Sequence, residues 1–112
     1  MNFYQDEQDW KWLFKNGVDW DHILPLYYKS FPTEEGFESK EELLTFFEDV
    51  LTQTGSWAGT TLSQRAATLD KEGAGTLEGG KTIPGDGLSA SYREANELGF
   101  HGVSLPKEYG GL

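Results

Sequence analysis

SKEELLTFFEDVLTQTGSWAGTTLSQRAATLDKEG, residues 39–73, decides how this chain is read. It opens on Ser39-Lys40-Glu41-Glu42, a capping box in which the serine hydroxyl accepts from the Glu42 amide while the Glu42 side chain reaches back. Apolar residues follow at positions 43, 44, 47, 50, 51, 57, 58, 62, 66 and 69, a stripe with helical spacing. Lys71-Glu72-Gly73 then places a basic residue in the last turn and a glycine where the helix stops. The stretch predicts one long helix over residues 40–72. Gly55 and Gly59 lie inside it, and each costs roughly 1 kcal/mol relative to alanine. They predict either a kink or a small-residue face that another helix approaches closely beside Trp57. Both readings make them packing features, not chemical ones.

Upstream, Phe3 to Phe14 is dense in helix-compatible residues and stops near Asn16-Gly17, which fits a helix C-cap. Its apolar positions cover much of a helix surface, so packing on more than one side is expected. Asp19 reads as the N-cap of a second, short helix reaching about Leu24, with Pro25 restricting its extent. Residues 31–36, Phe-Pro-Thr-Glu-Glu-Gly, read as a loop. Downstream, Gly79-Gly80 separates Thr76-Leu77-Glu78 from Lys81-Thr82-Ile83, the pattern of a two-residue hairpin. A lone ribbon is marginal, so it is expected to lie on the helices. Leu88, Tyr92, Ala95 and Leu98 recur at helical spacing and Gly99 closes them, with Phe100 where a Schellman motif puts its apolar contact. From Val103 the chain is expected to be extended and then to turn, with Pro106 at the first position of a short helical turn.

These elements make an all-α fold of 112 residues with a small β-hairpin, a size that can bury a real core. Composition shifts along it. Residues 1–31 hold nine of the sixteen aromatics, and twelve of the fourteen glycines fall between Gly55 and Gly111. Net charge is -10, of which residues 1–50 carry -8. Such a field repels phosphate backbones and anionic lipid, so nucleic-acid and membrane-surface binding are disfavoured. No apolar run approaches the roughly 18 residues of a membrane span, and no signal peptide is read at the start. The chain has no cysteine, which excludes disulfides, thiolate metal sites and cysteine nucleophiles. A cytoplasmic location is expected.

Candidate chemistry is sparse. Gly73-Ala74-Gly75 lacks the preceding strand and following helix of a dinucleotide loop. His22 and His101 have no ligand-spaced partner, and both read as solvated or hydrogen-bonded histidines, not as metal ligands. Glu34, Glu35, Glu38, Glu41, Glu42, Glu48 and Asp49 form an acidic belt that reads as a solvated helix start. Ser63, Ser89 and Ser91 lack a nucleophile-elbow setting. No catalytic constellation and no metal site emerges from the residues themselves.

The segment from Ser91 to Gly111, SYREANELGFHGVSLPKEYGG, resembles the N-terminal helical domain of flavin-dependent acyl-CoA dehydrogenases. That family shows a helix ending "elGf.G" and then an extended "sLP.eYGG". Upstream, the long helix ending in Leu69-Asp70-Lys71-Glu72-Gly73 is similar to the family helix that closes on "lDreG". The start Asn2-Phe3-Tyr4-Gln5-Asp6 resembles an extension found in enzymes similar to 3-methylmercaptopropionyl-CoA dehydrogenase.

The resemblance implies residues 1–38 as an aromatic-rich N-terminal extension with short helices. It implies residues 39–112 as the family's N-terminal helical domain, truncated before the β-domain. The implied parent is a longer FAD-dependent oxidoreductase that removes an α-proton and a β-hydride from an acyl-CoA thioester. Its flavin-contacting segments and catalytic glutamate would lie beyond this chain, so no catalytic or cofactor-binding residue is assigned, and the chain alone is expected to be inactive and to hold no FAD. Tyr109, Gly110 and Gly111 are implied as the border of the acyl pocket; a plain tight turn is the other reading of those glycines. The implied partners are the β-domain and C-terminal helical bundle of the parent, its acyl-CoA substrate, and further copies of the chain by self-association. The alternative is a stand-alone acidic helical module that binds a partner protein through its aromatic-rich first thirty or so residues.

Overall fold

The computed structural model describes residues 1–73 and 75–111. Ala74, in the stretch weighed as a dinucleotide loop, and Leu112, after the Tyr-Gly-Gly turn, lie outside the described residues. The chain is mostly helical with one antiparallel hairpin, and it divides into two compact units, Met1–Thr61 and Leu62–Leu112.

The long helix forms as its cap and stripe predict. Helix α3 spans Lys40–Trp57, a π-helical turn follows at Ala58–Leu62, and α4 spans Ser63–Glu72, with helical backbone throughout. Ser39 Oγ accepts from the Glu42 amide at 3.2 Å. The Glu42 carboxylate does reach back, to the Glu38 amide at 2.7 Å. Gly73, at φ 70°, ends the run with its N–H on the Leu69 carbonyl at 3.0 Å.

In the first unit α1 is Gln8–Trp12, continued by a π-helical turn Leu13–Gly17, and α2 is Trp20–Tyr27. The helix expected from Phe3 therefore starts five residues later. Asn2 is the reason: its side-chain Oδ1 accepts from the amides of Tyr4 and Gln5 at 3.0 and 2.9 Å, and this turn competes with helix. Asp19 caps α2 through the His22 amide at 3.1 Å. The helix runs past Leu24 to Tyr27 with Pro25 inside it, three residues beyond the end the proline predicts.

Tyr4, Phe14, Leu24 and Leu43 make the core of this unit, and Leu43 is fully buried. Rings extend it: Phe14 to Trp20 at 4.9 Å, Trp20 to Phe47 at 6.0 Å, and Phe37 to Phe46 at 5.2 Å between centroids. The Trp20 indole N–H donates to the Phe14 carbonyl at 2.6 Å, which fixes the turn between α1 and α2. Trp10 and Trp12 stay outside, 57% and 63% exposed.

Gly55 and Gly59 realise part of both expectations. The helix widens into the π turn at Gly59, and a neighbour does pack on the glycines. That neighbour is the opening segment Met1–Tyr4, not another helix. Phe3 N–H donates to the Gly55 carbonyl and Asn2 Nδ2 to the Thr52 carbonyl, each at 3.0 Å. A Cβ on Gly55 would lie 2.6 Å from the Tyr4 nitrogen.

In the second unit β1 (Gly75–Glu78) pairs with β2 (Lys81–Pro84), and Gly79 and Gly80 turn the hairpin at φ 56° and 77°. Every residue of both strands is exposed, so the ribbon does not lie flat against helices as expected. Helix α5 covers Asp86–Glu97. Gly87 lets it come close to α4, since a Cβ there would be 2.9 Å from Leu69 Cδ2.

Candidate functional site

The residues singled out as a pocket border sit in the loop after α5. Gly99 adopts the left-handed conformation at φ 78° and donates to the Asn96 carbonyl at 3.0 Å, the inner bond of a Schellman ending. The expected extended stretch is absent: Phe100–Gly102 is a 3-10 turn and Val103 continues in helical conformation. With glycine ending α5, the chain keeps coiling in short turns, each closed by a local bond such as Leu105 N–H to the Gly102 carbonyl at 2.9 Å. Pro106 is the cap of the next 3-10 turn, Lys107–Tyr109, and not its first residue.

Tyr109 presents its ring to solvent, 71% exposed. Gly110 is left-handed at φ 85°. Gly111 donates to the Pro106 carbonyl at 3.3 Å, and a Cβ on it would run into the Leu105 carbonyl. Gly102 is pressed in turn, with the Gly110 carbonyl 2.8 Å from where its Cβ would stand. The close approach at these glycines is thus to the loop's own backbone at Gly102 and Leu105. Around the turn Leu98, Val103 and Leu105 are also exposed, and the Tyr92 and His101 rings meet at 4.4 Å.

Sequence reading passed over the polar centre of the second unit. Arg65 on α4 holds Glu94 on α5 through both guanidinium nitrogens, at 2.8 and 2.5 Å, and Nη1 also reaches Ser91 Oγ at 3.3 Å. Ser91 is buried and donates to the Gly87 carbonyl at 2.9 Å, so it is a structural hydroxyl. The hydrogen bond to Glu94 raises the Arg65 pKa, burial opposes it, and the carboxylate's charge adds to the rise. A lone arginine among small residues on α4 was the available signal.

In the first unit Tyr4 is buried with its hydroxyl donating to Glu48 at 3.1 Å. Burial first, then that bond and the carboxylate's charge, push the phenol up to about 12. Glu48 is half-buried, while the rest of the acidic belt is exposed as expected. His22 and His101 are both exposed, and among the described residues no three His, Cys, Asp or Glu side chains group as a metal site.

A depression of about 220 Å³ lies beside the end of α2, lined in part by Tyr27, Tyr28, Lys29, Pro32, Glu34 and Glu35. The residues do not fit a flavin dinucleotide. The volume falls below the roughly 300–1,000 Å³ of drug-sized sites, and two carboxylates with one lysine would repel a pyrophosphate. Among the described residues no helix is long and apolar enough to cross a membrane. Comparison with protein-family models, with curated proteins and with solved structures finds no match for this chain.

Proposed function

We propose that this chain is the N-terminal helical domain of an FAD-dependent acyl-CoA dehydrogenase and acts as scaffold, with the redox chemistry residing in other domains of the parent enzyme. The observation that supports this reading is the character of the second unit, which contains the resembling segment. Its only buried side chain among the described residues is Ser91, while Leu88, Leu98, Leu105 and Tyr109 are exposed. A unit with so little apolar burial of its own is suited to packing against further protein. In this reading the Tyr109–Gly111 turn is a rigid edge at the acyl pocket, and the chain by itself is inactive and cytoplasmic.

The test is an intact mass and visible spectrum of the protein purified from its source. A mass several-fold above 12.6 kDa, with flavin bands at about 370 and 450 nm that bleach on adding acyl-CoA, supports the reading. A colourless protein indifferent to acyl-CoA overturns it.

A second reading, a stand-alone acidic module that binds another protein, is favoured by the exposure of Trp10 and Trp12 on α1. In both readings the uncovered side chains favour self-association. Light scattering should show mass rising with concentration; a strict monomer that binds no apolar dye would count against it.

A further inference from the structure

The depression beside α2 carries chemistry that neither reading above uses. Three features of it favour positive charge and none of them depends on the others. Tyr27 is the last residue of α2, so the negative end of the helix dipole opens at this edge. Glu34 and Glu35 stand in the wall against a single Lys29, leaving one net negative charge, within a segment that is itself strongly acidic. Tyr27 and Tyr28 add two aromatic side chains to the lining, and aromatic faces attract cations that shed water easily.

The wall is also built in advance of any ligand. Thr33 is buried, its N–H donates to the Phe37 carbonyl at 2.9 Å, and its hydroxyl accepts from the Phe37 amide at 3.2 Å. Gly36 closes the same loop onto the Thr33 carbonyl at 3.1 Å, and the Phe37 ring is pinned against Phe46. A site held in place this way spends little ordering on binding. Burial, followed by the charge of Glu35, raises the Tyr28 pKa.

We propose that this depression binds an organic cation of the alkylammonium or guanidinium type, taken up between the Tyr27 and Tyr28 side chains and the Glu34–Glu35 wall. Its size admits a small head group and excludes a nucleotide. A free amine and the side chain of a basic peptide share this chemistry.

The experiment is a proton–nitrogen NMR titration of the whole chain with tetramethylammonium chloride, with a capped arginine tripeptide, and with sodium chloride at matched ionic strength. Saturating shifts at Tyr28, Thr33 and Glu35, several-fold weaker in Glu35→Gln and in Tyr28→Leu, are expected. Saturation by tetramethylammonium points to a free amine, and saturation by the peptide alone points to a side chain. Glu35→Gln alters an exposed residue and keeps the test valid if Tyr28→Leu fails to fold. The proposal is overturned by shifts that sodium reproduces, by binding that Glu35→Gln leaves unchanged, or by no saturable shift with either cation.

Discussion

Arg65 and Glu94 meet through two parallel hydrogen bonds, at 2.8 and 2.5 Å, and so fasten α4 to α5 in a unit where no apolar side chain among the described residues is fully buried. Planar, two-pronged pairing of this kind needs a guanidinium; an ammonium meets the carboxylate at one point. Arg65→Ala should lower the melting temperature more than Lys71→Ala, an exposed site on the same helix. Arg65→Lys should restore only part of the loss. The pair is about one third exposed, so the difference should shrink in 1 M salt. Equal melting curves for all three variants would show the pair to be a surface ornament.

Tyr4 gives the chain a stability term at alkaline pH. Its phenol is pushed up from 10.0 to about 12, by burial first and then by Glu48, so folding favours the protonated form. The contribution is whole below pH 10 and is lost as pH rises toward about 12. Tyrosinate absorbance should show, beside the raised Tyr28, a tyrosine step near 12, and Tyr4→Phe should remove that step. The variant leaves Glu48 short of a donor, at a cost of about 1–2 kcal/mol. A Tyr4→Phe titration identical to the parent's would assign the late group elsewhere.

Much of this fold is legible because local chemistry specifies it. Ser39, Asp19, Gly73, Gly79-Gly80 and Gly99 act through bonds or dihedrals a few residues away, and each stands where its type predicts. What escapes the sequence is tertiary. Nothing local says that the occupant of the Gly55–Gly59 face is Met1–Tyr4, which lies some fifty residues away. Arg65 and Glu94 are 29 positions apart and announce themselves only once two helices are side by side. The start of α1 was missed for a nearer reason: the Asn2 side chain offers the Tyr4 and Gln5 amides a turn that competes with helix. At the candidate pocket border, the glycines at 110 and 111 are readable as a turn, while the backbone they press against is not.

Gly55 separates helix propensity from packing. A methyl there gains about 1 kcal/mol as helix former but stands 2.6 Å from the Tyr4 nitrogen. Gly55→Ala should therefore destabilise by about 1–3 kcal/mol, the range for overpacking. Gly59→Leu should do the same against the Met1 carbonyl. In a variant lacking residues 1–4 the obstacle is gone, and Gly55→Ala should turn stabilising. Denaturant melts of the four chains test this; a Gly55→Ala penalty that survives the deletion would refute the packing account.

Gly110 and Gly111 should differ from each other in a way that tells a turn from a ligand edge. Gly110 needs only a left-handed backbone, φ 85° with nothing near its absent Cβ, so Gly110→Ala should cost about 1–2 kcal/mol. Gly110→Asn should cost less, since asparagine tolerates that region better. Gly111 has an ordinary dihedral but no room, because a Cβ would collide with the Leu105 carbonyl. Gly111→Ala must shift the loop and should cost more than Gly110→Ala. Thermal melts would give that order if both glycines serve the loop's own backbone. If both are tolerated without loss, the self-packing explanation fails.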